Sequence, residues 1–511
     1  MRALLCLTLI MSCSYLFSQN CAFEDMKPDY EFKSTVKIGK IESGWYQEWL
    51  EHTNGAKTLP EPLPLQPKWE HPYMKHGYTA AMHEGPRSSD VSNRPGPIPK
   101  NEKVEYFHVL QKGGDFSGMC PTFAFIDDST MATLSFGRAN TTLLLLDIKN
   151  KLKVLDYLPV PGRGSSAFEL AGKKGRSKIF SNTAGGAYSY ISGKDHIFIP
   201  GANNDVLRVR IKDRKFDHKV ETLDLKSQIE AGNLVDPHLT EKDQLNKLTA
   251  LLPDVDGNLW FTSRQGIIGV IHRTDKTTDG CYKVYYTFVG YHGLVEKIKK
   301  HYPGSVKSAE ELAKRIDLDS MSLEIRRELR TTLKIDKDTH EEIQNSFSVG
   351  KDGVYIVSNA ALYKFRFNEA TKRIEMDPKW AKTFKKGDLV YDNTLSKRPG
   401  HLNAGSGTTP TLLDDRFVAI CDNAPGKINL CIYRQDNGEL VSKLPLFGNQ
   451  GSAVENSAVA YANSYVVGNT YGYTDPFTVN PTPGGLMRFD YDETKGVFEK
   501  VDNWPESGIY D

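Results

Sequence analysis

With 511 residues, 65 basic against 64 acidic side chains and a net charge of +1, the chain has no global pull towards nucleic acid or an anionic membrane surface. Seven cysteines in a chain of this length do not make a disulfide scaffold, because a protein this large buries core enough without cross-links.

The N-terminus reads MRALLCLTLIMSCSYLF: one Arg, an apolar run from Ala3 to Phe17, then polar residues from Ser18. This is the pattern of a secretory signal peptide over residues 1–22, too short to span a membrane as a stable helix, and it predicts a secreted or periplasmic protein. Removing it takes Arg2 and no acidic residue, which leaves 64 basic against 64 acidic side chains. No later segment reaches the ~18 uninterrupted apolar residues of a membrane helix, so no membrane span and no nucleic-acid partner are expected.

Residues 23–102 are rich in Pro, Lys, Glu and His, as in LPEPLPLQPKWEHPYMKHGY, and read as an extended N-terminal arm on the surface. The stretch Lys103 to Leu110, KVEYFHVL, is strand-like and is expected to close a ring by pairing with the last repeat unit.

From there the chain repeats one pattern: an apolar strand, an Asp/Gly turn, a strand rich in Val, Phe and Tyr, a polar break, and a further strand. The clearest copies are Leu251 to His272, Asn345 to Phe367 and Pro410 to Tyr433. Units start near Pro121, Ser181, Leu248, Asn345, Pro410 and Glu455. Successive antiparallel strands repeated over several hundred residues predict an all-β fold, a β-propeller of six or seven four-stranded blades over residues 103–511. A helical insertion is expected at about 292–340, where Leu and Ile recur at i, i+3, i+4 and Ser308 with Glu311 forms a capping box. Cys421 and Cys431 lie on the two arms of one predicted hairpin; they either bridge across the ladder or serve as two small core residues.

The segment DGNLWFTSRQGIIGVI, Asp256 to Ile271, resembles one repeat of the virginiamycin B lyase-like propellers, DGxxWFT followed by a turn and IGxI. The other blades resemble the wider group that includes gluconolactonase-like and strictosidine synthase-like proteins. The resemblance implies the propeller fold, and it implies lyase or lactonase chemistry only at the level of fold, which does not fix function.

Innermost strands of a propeller converge on its axis, so polar residues at their starts line a funnel. Asn182, Asp254, Asn345 and Glu455 are read at such starts. They form an all-oxygen donor set that suits a divalent cation, Ca²⁺ or Mg²⁺. Gluconolactonase-like propellers are similar in holding one such ion, whereas Asn and Asp at strand starts also serve simply to bond turn backbone. His401, with Asn403, sits in the small-residue loop HLNAGSGTT and is the candidate general base. Asp422 and Tyr471 complete the catalytic candidates; Asn423, Asn456 and Tyr473 join Asn403 as ligand-binding candidates, since rings beside amides suit a sugar or another ring-bearing ligand, or pack within strands. No G-x-S-x-G element surrounds any serine, which disfavours a serine hydrolase.

The expectation is an exported propeller enzyme, a metal-dependent hydrolase or lyase acting on a small or carbohydrate-like molecule. The alternatives are a non-catalytic propeller that binds a protein or glycan, and a quinone-dependent oxidoreductase.

Overall fold

The computed structural model describes residues 22–25, 32–35, 71–75, 88–91, 108–111, 120, 123–136, 140–150, 152–164, 188–193, 195–201, 205–225, 248–264, 266–273, 282–289, 343–359, 361–377, 379–380, 406–422, 427–448, 451–473 and 485–502. The signal segment up to residue 21, the helical insertion and the candidates Asn182, His401, Asn403 and Asn423 lie outside them.

Three short strands come from the N-terminal part: β1 (Ala22–Asp25), β2 (Phe32–Thr35) and β3 (His108–Gln111). Blade 1 is β4 (Phe123–Phe125), β5 (Thr130–Phe136), β6 (Asn140–Asp147) and β7 (Lys153–Gly164). Blade 2 is β8 (Tyr190–Ile191), β9 (His196–Pro200), β10 (Asp205–Lys212) and β12 (Lys219–Asp224), with the two-residue β11 (Lys215–Phe216) paired to β10. Blade 3 is β13 (Leu248–Pro253), β14 (Leu259–Ser263), β15 (Ile267–Arg273) and β16 (Tyr282–Phe288). Blade 4 is β17 (Ser348–Gly350), β18 (Gly353–Val357), β19 (Leu362–Asn368) and β20 (Arg373–Met376). Blade 5 is β21 (Thr411–Leu413), β22 (Phe417–Cys421), β23 (Asn429–Arg434) and β24 (Leu440–Pro445). Blade 6 is β25 (Val459–Tyr461), β26 (Ser464–Gly468), β27 (Leu486–Asp492) and β28 (Val497–Lys500).

Each blade is an antiparallel meander in chain order; blades 3 to 6 touch through their innermost strands, β13 meets β9 of blade 2, and blades 1 and 2 touch through β7 and β11. Six such sheets make the predicted β-propeller. Its blades begin within a few residues of the positions read from sequence, except blade 2, whose first described strand is at Tyr190. In blades 3 to 5 burial falls from the axis outwards, whereas β4 and β25 carry the exposed Phe123 and Val459. Every residue of β13, β17, β21 and β22 is buried, because neighbouring blades cover both faces, whereas the outermost β20 alternates.

The strand at 108–111 does not close the ring as expected. It pairs with Phe32–Thr35 in a separate two-stranded sheet, and blade 6 is built wholly from its own four consecutive strands. A short apolar strand fixes its own conformation but not its partner. The arm instead adds β1 to the outer edge of blade 2, covering an edge that would otherwise stand open.

Two further pieces of the arm are docked. Residues 71–75 form a strap between blades 2 and 3: Met74 is buried and bridges Ser192, the Lys75 N–H donates to the Ile191 carbonyl at 3.0 Å, and Lys75 pairs with Asp195. Residues 88–91 reach the free edges of three innermost strands. The Val349 N–H donates to Ser88 Oγ at 3.1 Å, the Ala460 N–H donates to the Ser89 carbonyl at 2.9 Å, and the Thr411 hydroxyl donates to Asp90 Oδ2 at 3.4 Å. Blades 4, 6 and 5 are thus tied to one segment lying in the axial channel. Ser88 and Asp90 both take positive φ, 53° and 60°, to make these turns.

A buried polar node joins blades 4 and 5. Lys364, with no exposed side-chain surface, lies 3.0 Å from Asp352 and 3.3 Å from Asp377, and donates to the Gln435 carbonyl at 2.8 Å. The Trp380 indole N–H donates to the same carbonyl at 3.0 Å. Cys421 and Cys431 are both free. Cys431 faces Ile420 in the ladder, and the two thiols belong to different core clusters on opposite faces of the blade, so the bridging alternative fails on geometry.

Candidate functional site

In an antiparallel meander, residues that precede the first strand share a face with the turn between the second and third. That face is the mouth. Asn345 precedes β17, Glu455 and Asn456 precede β25, Asp422 follows β22, and Tyr471 and Tyr473 follow β26, so all six belong to it.

The structure links several of them around the entry to blade 5. The Asn345 side-chain amide donates to the Ser406 carbonyl at 3.3 Å. A Cβ on Gly407 would fall 2.8 Å from the Glu455 carboxyl carbon, so that carboxylate lies directly on the same loop. The Thr409 N–H donates to Ser457 Oγ at 3.1 Å. Asn345 and Glu455 therefore flank one loop on one rim. Asn456 is exposed beside Glu455. Deeper in the axis, burial pushes the Tyr188 phenol above its usual range, and the carboxylates of Glu455 and Asp90 push it further.

Asp254 is not on this rim. It follows β13 in the first-to-second-strand turn, on the opposite face, and its carboxylate organises that turn. Oδ1 accepts the N–H groups of Asp256 and Asn258 at 3.0 and 2.8 Å; Oδ2 accepts from the Asn258 amide at 2.9 Å and the Trp260 indole at 2.8 Å. Asp422 makes a related arrangement one turn later in its blade, accepting from the Asn429 N–H at 2.8 Å and the Asn429 amide at 2.9 Å, with Lys443 at 3.3 Å. The Tyr471 N–H donates to Asn469 Oδ1 at 3.1 Å; the Asn469 amide in turn donates to the Gly451 carbonyl at 3.2 Å. The Tyr473 N–H donates to the Thr470 carbonyl at 3.0 Å. These side chains and turns hold the loop that leads to Glu455. Among the described residues, no three His, Cys, Asp or Glu side chains cluster closely enough to share an ion.

A second feature left no sign in the sequence. On the face opposite the mouth, between blades 2 and 3, lies a cleft of about 710 Å³. Its aromatic walls are Tyr73, Tyr190, Phe198 and Tyr282, and Arg208 with Glu221 forms its polar floor. Tyr190 and Phe198 sit directly opposite each other on β8 and β9, and their rings stack at 4.8 Å and 5°. Arg208 and Glu221 are likewise opposite one another on β10 and β12, and their side chains form an ion pair. The strap roofs the cleft. The Tyr73 hydroxyl donates to the Asp256 carbonyl at 3.4 Å, and its ring rests on Gly257, where φ is +88° and a Cβ would come within 2.6 Å of it. Glycine at 257 thus serves both the turn and the strap.

No family model matches the chain, and no curated protein sequence matches it. Solved structures do resemble it at low identity. A protein from Lactobacillus plantarum matches at 8% identity and TM-score 0.37, over 79% of this chain and 92% of that one. The WD40 domain of coronin from Toxoplasma gondii matches at 9% identity and TM-score 0.35, over 73% and 67%. The β-propeller domain of Cps50 (Swd1) from Myceliophteria thermophila matches at 8% identity and TM-score 0.32, over 73% and 80%. At this distance they bear on neither ligand nor activity. No helix among the described residues is long and apolar enough to cross a membrane.

Proposed function

We propose that this β-propeller is a ligand-binding protein whose working site is the cleft between blades 2 and 3, and that it takes a small ring-shaped organic molecule there without transforming it. The observation that carries the reading is the cleft itself: about 710 Å³, walled by aromatic rings and covered by a strap from another part of the chain. That volume lies in the range of small-molecule sites, and mostly apolar walls with a few converging polar groups are what such sites use. Binding is favoured over chemistry because Arg208 and Lys75, the cations that line the cleft, are each engaged in an ion pair, Arg208 with Glu221 and Lys75 with Asp195. The reading shares its lack of catalysis with the alternative read from sequence, a propeller that binds a protein or glycan, and differs from it in taking a small molecule. Export, in turn, rests on the pattern of residues 1–22.

The test is a thermal-shift screen of ring-bearing fragments against the full chain and Tyr282→Ala. A ligand that binds only the native state raises the melting temperature by mass action. Fragments should protect the parent protein and fail to protect the variant. Equal protection of both, or none of either, refutes the cleft as the site.

A further inference from the structure

The polar floor of the cleft narrows the class of ligand. Arg208 Nε meets Glu221 Oε2, and among the described residues no other hydrogen bond takes up the remaining guanidinium N–H groups or the second carboxylate oxygen. Both side chains are largely buried yet line the cleft, with 22% and 13% of their surface exposed. The floor therefore presents donors and acceptors side by side, fixed by cross-strand register rather than by flexible loops.

Its net charge is zero, and so is that of the Lys75–Asp195 pair that joins the strap to blade 2. A charged ligand would meet an opposite charge already neutralised by its paired side chain and would bring an unmatched charge into a partly buried site, which is unfavourable. An uncharged ligand with adjacent hydroxyls has no such difficulty: one hydroxyl accepts from the guanidinium while its neighbour donates to the free carboxylate oxygen. The walls add a second requirement. Tyr190, Phe198, Tyr73 and Tyr282 offer flat ring surfaces suited to a ligand with an apolar C–H face.

Resting on the cleft as the binding site, we propose that its ligand is an uncharged saccharide, a pyranose ring or short neutral oligosaccharide. One face of the sugar packs on the aromatic wall, two of its hydroxyls engage Arg208 and Glu221, and the strap at residues 71–75 covers it. A neutral polyhydroxylated ring satisfies both requirements at once. An aromatic fragment satisfies only the walls, and an anionic sugar disturbs the floor.

The experiment is calorimetry on the full chain with a panel of neutral mono- and oligosaccharides, their uronic-acid and phosphorylated counterparts, and a phenol or indole fragment. Single removal of Arg208 or Glu221 would strand its partner, so the variant is the double Arg208→Met, Glu221→Leu, which removes both charges and keeps apolar volume; its melting curve checks the fold. A neutral saccharide should bind the parent protein and lose about 10- to 100-fold in affinity in the double variant, the size expected for hydrogen bonds to charged groups. Fragment binding should change less than about threefold, a few tenths of a hydrogen bond's worth. Fragments that bind the cleft with no saccharide binding at all overturn the sugar assignment and leave the cleft standing. Tighter binding of an anionic than a neutral sugar also overturns it. No binding by any member overturns the cleft as well. A double variant that unfolds is replaced by Tyr282→Ala, for which retained saccharide affinity is the refuting result.

Discussion

Gly257→Ala tests whether the strap is held by the turn it covers. The substitution has two separable effects. At φ +88° an alanine is strained whatever surrounds it, at a cost of about 1–2 kcal/mol. The new methyl would also lie 2.6 Å from Tyr73 Cζ and 2.8 Å from its oxygen, so the ring must leave. Tyr73 is 42% exposed, so a little over half of its surface is covered. A buried aromatic covers ~200 Å², which at ~25 cal/mol per Å² makes the covered part worth about 3 kcal/mol. Regained side-chain freedom offsets about 1 kcal/mol of that. The loss from the parent protein is then about 3–4 kcal/mol, and in a Tyr73→Ala background only the 1–2 kcal/mol of backbone strain, a coupling of about 2 kcal/mol. The local readout is hydrogen exchange at the Lys75 amide, which donates to the Ile191 carbonyl. It should quicken about 30-fold in Gly257→Ala. Equal costs in the two backgrounds, with Lys75 still protected, would refute the idea that this turn anchors the strap.

Lys364→Met removes the ammonium shared by Asp352, Asp377 and the Gln435 carbonyl, and should cost about 3–5 kcal/mol, seen as a lower denaturation midpoint; a loss below about 1 kcal/mol would mean that the node does not join the blades. Burial, partly offset by N–H donors from Asn258 and Trp260, holds the Asp254 carboxyl above its usual range. A raised native pKa means that the folded state binds the proton more tightly, so this contribution is complete below the unfolded value and is lost as pH rises through the native one. The stability margin of the parent over Asp254→Asn should therefore shrink as pH rises above about 4, the unfolded carboxylate value, and a growing margin would contradict it. Burial pushes both the Cys421 and Cys431 thiols up, so alkylation of native protein should leave both unmodified by peptide mass spectrometry; a cross-linked peptide would refute the geometry. The divalent-cation site expected from the sequence at Glu455 is checked by a melting curve with and without chelator: a loss of stability on chelation that Glu455→Ala abolishes supports it, and a curve that chelator does not move refutes it.

The blades were legible because inner strands and their turns are local chemistry. Thr411–Leu413, read from Pro-Thr followed by Asp-Asp, is a fully buried strand running into a turn at Asp414. Asp254 was misplaced for the same reason: a carboxylate that opens a turn looks alike at either end of a strand, and only the pairing of β13 with β14 shows which end it is. The repeat-like motif around Trp260 likewise proves structural, since its indole bonds that same Asp254. The cleft left no linear trace. Tyr73, Phe198, Arg208 and Tyr282 come from four separate stretches, and each reads alone as an ordinary strand or arm residue. What unites them is that two blades diverge there and a strap crosses the gap.

The segment Ser88–Val91 has a consequence for how the molecule comes to be made. It meets residues 261 and 321 positions further along the chain, at Val349 and Thr411. Blades form from neighbouring hairpins and can assemble as the chain is synthesised, but this early segment has no partners until the last three blades exist. It is made among the first and seated among the last. Until then the inner edges of β17 and β25 have N–H groups with no acceptor from this segment, and they are open to pairing with the wrong strand. Final consolidation of the propeller is therefore a long-range event, slower than blade formation and governed by a stretch of four residues outside every blade.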